Sequence, residues 1–169
     1  MRFRDVIVRP ATADDVPRLT DIYNHYVLHT QATFDIEPFT AEQRREWFSH
    51  YSTGGRHRLL VADDDGFLCG YATSSPFRPR AAYATSIETS VYCDPDRLGV
   101  GVGTSLYGAL FDQLASEDIH RAYAGIALPN DQSISLHERF GFVKVGVYTE
   151  VGRKFGRFWD VAWFEKRLM

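Results

Sequence analysis

Residues 85–111, TSIETSVYCDPDRLGVGVGTSLYGALF, place a β-branched run directly before glycines at 99, 101 and 103, and then an apolar segment of helical period. This strand, loop and helix constrain the chain more than any other stretch. Glycines where a helix begins leave its first backbone N–H groups uncovered, and those amides together with the helix dipole attract an anion such as a pyrophosphate. Gly99, Gly101 and Gly103 would let phosphate oxygens approach where a Cβ would block them. A tight strand-to-helix turn alone needs fewer.

Spacing excludes two familiar phosphate loops. A Walker A loop requires a lysine after its last glycine, and residues 94–111 contain none. The dinucleotide fingerprint requires a glycine at 104 or 106, where the chain has Thr104 and Leu106.

The rest of the chain supplies the sheet for this unit. Strands are expected over 4–9, 59–63, 67–73, 85–93, 121–127, 142–151 and 157–168 from their alternating or β-branched runs. Thr12 with Asp15 and Thr40 with Gln43 read as capping boxes opening two helices, the first running to about His29. Further helices are expected from about Gly101 to Ser116 and from about Asp131 to Phe140. Gly66 turns the 59–73 hairpin, while 30–39 reads as a loop that could line a site and 74–83 as a loop carrying Arg78 and Arg80. Hairpins with one crossover imply a single mixed α/β sheet of about seven strands with helices on both faces.

Size and charge narrow the partners. With 169 residues, 44% of them hydrophobic, the chain is expected to form one domain over 1–169. A net charge of −3 gives no broad basic footprint for nucleic acid, so a small-molecule partner is favoured. No window approaches the ~18 apolar residues of a membrane span, and the start lacks a signal-peptide core, so a cytoplasmic location without membrane association is expected. Cys69 and Cys93 lie in strand-like runs and read as buried reduced thiols. His25 and His29 are one helical turn apart, but Tyr26 stands where a zinc-protease signature has Glu, so no metal is expected. GRKFGR (152–157) reads as a hairpin turn or a charged rim.

The segments VRPAT (8–12), IYNHYV (22–27), ATF (32–34) with EP (37–38), ETSVY (88–92), GVGTSLY (101–107), ALPNDQSISLHERFGF (127–142) and WDVAWFEKRL (159–168) occur in order along nearly the whole chain. Together they resemble the GNAT superfamily of N-acetyltransferases, in its phosphinothricin and methionine sulfoximine branch. The resemblance implies a mostly antiparallel sheet splayed at the cofactor site, acetyl-CoA as the acetyl donor, a homodimer, and direct attack by an amine with no acyl-enzyme. The family loop carries Gln or Arg at the position of Leu98, with Arg97 displaced by one.

Roles follow from the same resemblance. Gly99, Val100, Gly101, Val102, Gly103 and Thr104 would hold the pyrophosphate, Val91, Tyr92 and Cys93 would pair with pantetheine, and Asn130 would contact the cofactor. An N–H near Tyr92 would polarise the thioester carbonyl. Glu88, which by itself could be an outward-facing strand residue, takes the role of general base, directly or through water. His137, alone readable as structural, becomes a candidate proton donor or a partner of Glu88. The branch acts on amino-acid-like substrates with a carboxylate, which Arg78 and Arg80 could bind by their guanidinium forks, or else they form a solvated basic loop. Phe34 and Tyr83 are pocket walls or core. The tail RFWDVAWF could supply the dimer surface, or a buried edge strand. Two other classes remain, an acyl-CoA-binding regulator without turnover and an acetyltransferase for protein or peptide amines. Retention of Glu88 with His137 weighs against the first, and compact loops weigh against the second.

Overall fold

A computed structural model describes residues 6–169. Its strands are β1 (Ile7–Pro10), β2 (Leu59–Asp64), β3 (Phe67–Pro76), β4 (Ser86–Cys93), β5 (Arg121–Ala127), β6 (Val143–Lys154) and β7 (Arg157–Arg167). The helices are α1 (Val16–His29), α2 (Ala41–Phe48), α3 (Val102–Leu114) and α4 (Asp131–Arg139). The start of the expected first strand, Arg4 and Asp5, lies outside the described residues.

Both capping boxes form. The Thr40 side chain accepts from the Gln43 amide at 3.2 Å, and the Asp15 carboxylate accepts from the Thr12 amide at 2.7 Å. Asp65 and Gly66, both at positive φ, turn β2 into β3 with the twist a two-residue hairpin needs. Phe155 and Gly156 do the same between β6 and β7, so GRKFGR is a hairpin turn. Two boundaries differ from the sequence reading. Strand β3 runs on through Ser74 and Ser75 to Pro76, because β4 extends far enough to pair with them. Strand β6 likewise reaches Lys154, opposite Arg157.

The strand order is β1-β2-β3-β4-β5-β7-β6, and β4 with β5 is the one parallel pair among the described strands. Helix α3 makes that crossover. Its stripe Val102, Leu106, Leu110 and Leu114 recurs every turn and packs with Leu60, Ala72, Ile87 and Phe164 on one face of the sheet. Truncating Leu106 or Leu110 to Ala would cost about 2–5 kcal/mol, since both are fully buried. Leu19, Ile22, Tyr23 and Val27 of α1 cover the opposite face against Leu59, Val61 and Tyr71, with Trp47 and Phe48 of α2 alongside.

The tail strand β7 is internal, between β5 and β6, so the outer edge belongs to β6. That edge exposes Val143, Val145, Tyr148 and Val151. Both cysteines are free, Cys69 buried and Cys93 half-buried. No helix among the described residues is long and apolar enough to cross a membrane.

Candidate active site

The parallel ladder between β4 and β5 contains Ser86↔Arg121, Ile87↔Ala122 and Glu88↔Tyr123, and then stops. Beyond it β4 stays paired to β3 and β5 to β7, so the two strands part and their facing backbone edges lack a ladder partner. Buried backbone groups require partners, and an extended ligand inserted as a further strand would supply them. A cavity of about 630 Å³ opens at this splay, lined by residues 89–93 of β4 and 124–127 of β5. Tyr26 of α1 reaches it and donates its hydroxyl to the Cys93 carbonyl at 2.5 Å.

The glycine loop closes one end. Gly99 (φ +74°) and Gly101 (φ +92°) adopt the left-handed conformation that side chains resist, and a Cβ on either would project into open space. Gly101 caps α3, leaving the amides of its first turn without helical acceptors where Val102, Gly103 and Thr104 line the cavity. Gly103 also serves packing, beyond what the sequence showed: a Cβ there would sit 3.1 Å from Leu136, so this glycine lets α4 pack against α3. Val100 is exposed at the loop surface and does not line the cavity. Leu98 does, and is largely exposed. The Asn130 side chain caps α4 by accepting from the Ser133 amide at 3.1 Å. The lining includes Arg97 and Arg139 and no acid. Arg97 donates to Asp64 at 3.1 Å, and Arg139 donates to the Thr104 hydroxyl at 3.1 Å. An acid-free cavity with cations, a helix N-terminus and an open strand edge fits a long polyanion ending in an extended amide chain.

Glu88 stands at the apex, in the last register pair before the strands part. Side chains alternate along a strand, so Ile87, Thr89, Val91 and Cys93 face α3, while Glu88, Ser90 and Tyr92 face α1 and α2. Ser75 and Tyr123 flank Glu88 in register, and the Ser75 hydroxyl is tied to Tyr51 at 2.9 Å. Burial pushes the Glu88 carboxyl above the ordinary range, and the nearby Arg78 guanidinium partly opposes that. It accepts no hydrogen bond from any described residue.

Aromatic side chains gather on this face. Phe77 stacks on Tyr123 at 4.4 Å, meets Tyr83 edge-on at 5.9 Å and lies beneath the Arg78 guanidinium at 4.3 Å. Arg80 is exposed, its carbonyl accepting from the Tyr83 amide at 2.9 Å and its guanidinium without a partner among the described residues. Phe34 lies over Gly152. The Tyr92 ring packs among Tyr23, Tyr26 and Tyr71, so its side chain belongs to the core and its backbone to the cavity.

His137 lies on the other face. It is 3% exposed, with Nδ1 at 2.7 Å from the Ser133 carbonyl and Nε2 at 2.9 Å from the Tyr107 hydroxyl. Burial lowers its pKa, partly opposed by the Ser133 bond, so the ring is neutral at pH 7. A carbonyl at Nδ1 requires the proton there, which makes Nε2 an acceptor for Tyr107. Tyr107 also lies 3.3 Å from the Thr89 hydroxyl. No hydrogen bond joins His137 to Glu88 among the described residues, and the fold does not make that pair. Burial pushes the Cys93 thiol up to about 11, and a protonated thiol is a poor nucleophile.

Sequence reading missed Tyr26, Tyr107, Tyr123 and Gly125. Tyr26 and Tyr107 fit their helix periods as core, and nothing in the sequence separated them from it. Tyr123 and Gly125 alternate with Ala122, Ala124 and Ile126, a signal that these two face the other side.

The fold, the splay and the cradle define an acyl-CoA-type transferase. An acetyltransferase (GNAT) domain model matches residues 8–163, and the chain belongs to that family of acetyltransferases. It is 58% identical to phosphinothricin N-acetyltransferase of Streptomyces coelicolor over 97% of each chain. Identity is 34% with the L-methionine sulfoximine/L-methionine sulfone acetyltransferase of Pseudomonas aeruginosa, covering 95% of this chain and 94% of that one. A phosphinothricin acetyltransferase from Sinorhizobium meliloti, solved in complex with acetyl-CoA, superposes with a TM-score of 0.91 at 32% identity, over 97% of this chain and 89% of that one.

Proposed function

We propose that this chain, as one catalytic domain, N-acetylates a small amino-acid-like acceptor of the phosphinothricin or methionine sulfoximine type, with Glu88 as general base. The observation that carries this is the Glu88 carboxylate: half-buried, without a hydrogen-bond donor, raised in pKa, and at the point where β4 and β5 part. The names of the relatives supply the acceptor class.

Acetyl-CoA supplies the acetyl group as a thioester. The first-turn amides of α3 and Gly99 to Gly101 hold its phosphates, and the open edge of β4 at Val91, Tyr92 and Cys93 aligns its amide chain. A backbone N–H near Tyr92 polarises the carbonyl to be attacked. An α-amine has a pKa near ~8, so most of it arrives protonated, and Glu88 removes the proton directly or through one water. A raised carboxyl pKa narrows the gap between base and amine. Arg78 neutralises the acceptor carboxylate, Arg80 adds positive charge at the mouth, and Phe34 and Tyr83 form walls. His137, neutral and doubly hydrogen-bonded, acts by holding Tyr107 and Thr89 on the α3 side, rather than by giving up a proton.

The apolar residues along the β6 edge support a homodimer built there. Sedimentation velocity tests it: a monomer at micromolar concentration removes this part. The function is tested by following release of CoA thiol across phosphinothricin, methionine sulfoximine, free amino acids and a lysine peptide. Turnover on the first two supports the reading. Turnover on the peptide alone makes the chain a protein acetyltransferase, and acetyl-CoA binding without any turnover makes it a regulator.

A further inference from the structure

We propose that Lys154 and Gly152, near the tip of the β6–β7 hairpin, form a latch that holds residues 30–34 over the active cleft, so that Lys154 is a positioning residue for acceptor binding. The inference rests on the reading that the acceptor enters on the Glu88 face.

Lys154 is 4% exposed, yet no carboxylate lies within ion-pair distance among the described residues. Its ammonium instead donates to two backbone carbonyls, Thr33 at 2.7 Å and Tyr26 at 3.4 Å. The Tyr26 carbonyl belongs to the last turn of α1, the negative end of the helix dipole, which favours a cation. Burying an ammonium without an ion-pair partner is costly, and its two carbonyl bonds, helped by the more distant Asp35 carboxylate, make the burial tolerable. The Lys154 backbone is fixed in turn, because its carbonyl accepts from Trp159 Nε1 at 2.9 Å.

Gly152 grips the next residue. A Cβ at Gly152 would collide with the Phe34 ring, so the loop approaches as closely as it does only because this residue has no side chain. The hairpin therefore holds both the Thr33 carbonyl and the Phe34 ring. The same loop spans the cleft: Thr30, Gln31 and Ala32 line the cavity, and Gln31 Nε2 donates to the Pro129 carbonyl beyond β5 at 2.8 Å. From below, the Tyr23 hydroxyl meets the Thr33 hydroxyl at 2.7 Å. A loop that crosses from α1 to the far side of the splay takes its height over the cleft from this hairpin.

The test compares Lys154→Met, Lys154→Arg and Gly152→Ala in the full chain, with acetyl-CoA and either methionine sulfoximine or phosphinothricin. Lys154→Met and Gly152→Ala are expected to raise the acceptor KM by about tenfold or more, with a smaller rise in the acetyl-CoA KM because Thr30, Gln31 and Ala32 also line the cavity assigned to it. Lys154→Arg, still a donor, is expected to recover part of the loss. Hydrogen exchange should quicken at the amides of 30–34 in Lys154→Met, a readout that needs no turnover. Unchanged acceptor KM in both variants, equal rises in both KM values, or unchanged exchange at 30–34 would overturn the latch. Should Lys154→Met fail to fold, Gly152→Ala carries the test, with Phe34→Leu added to relieve the collision and recover acceptor KM. Glu88→Gln is assayed alongside. Full turnover there removes the Glu88-face reading, whereas loss of turnover with an unaffected Lys154→Met removes only the latch.

Discussion

The two faces of strand β4 do different work. On the α3 face, the end proposed to hold the cofactor is built from a local run, Leu98 to Thr104, plus the first turn of α4, and its chemistry is largely backbone amides and missing side chains. On the α1–α2 face, the end proposed for the acceptor is assembled from side chains far apart in the chain: Phe34, Phe77 with Arg78, Glu88, Tyr123, and Lys154 behind the loop. The contrast teaches that binding a fixed donor needs backbone geometry, while choosing and deprotonating an acceptor needs side chains whose pKa and reach are set by packing.

Four substitutions sharpen or break this comparison. The largest effect is expected at Glu88→Gln, with kcat lowered by about 10²–10⁴ and acetyl-CoA affinity nearly intact. Unchanged turnover at saturating acceptor would take the chemistry off this face. Gly101→Val comes next. Its φ of +92° is strained for a side chain, and a loss of about 10–100-fold in acetyl-CoA affinity by calorimetry follows from about 1–3 kcal/mol of strain. Tight binding by this variant would mean that the cradle lies elsewhere.

Arg78→Gln is expected to raise the acceptor KM by about tenfold. It also carries a pH signature. Glu88 works deprotonated, so kcat/KM falls as pH drops through its raised pKa, and Arg78 holds that pKa down in part. Removing the guanidinium therefore moves the acid limb of the profile to higher pH, and a limb that stays put would separate Arg78 from Glu88. Tyr107→Phe is the smallest in rate. It leaves the buried Nε2 of His137 without a donor, costing about 1–3 kcal/mol of stability in urea unfolding with little change in kcat. A loss in turnover comparable to that of Glu88→Gln would make the α3 face chemical after all.

His137 also gives a stability prediction. Its folded pKa is lowered by burial, so the unfolded chain binds more protons below the ordinary histidine pKa of about 6.5, and stability falls as pH drops through that value. A urea midpoint that does not change between pH 7.5 and 5.5 in a His137-dependent way would contradict it.

Much of this molecule was legible before any fold was known. The capping boxes at Thr12 and Thr40, the left-handed Gly66, and the strand, loop and helix of residues 85–111 are local matters, decided by φ preferences, hydrogen bonds within a few residues, and periodicity. The shared motifs reached Glu88 as well, the loop just before its strand suggested Arg78, and the fold brings Arg78 close to Glu88. The packing role of Gly103 was not visible, because a missing Cβ looks the same in sequence whether a phosphate or Leu136 needs the space. Pairing His137 with Glu88 failed for a related reason: strand alternation sends residue 88 to one face while α4 packs on the other, and face is a property of the sheet.

The sequence by itself determined the elements, their order, and a cradle suited to an anion, since each of these depends on neighbours in the chain. Tertiary structure alone decided that β4 and β5 part just after Glu88, that the carboxylate there is half-buried without a donor, and that Lys154 lies beneath the loop of residues 30–34. Those three depend on desolvation and on contacts between residues up to 121 positions apart, and no local pattern encodes either.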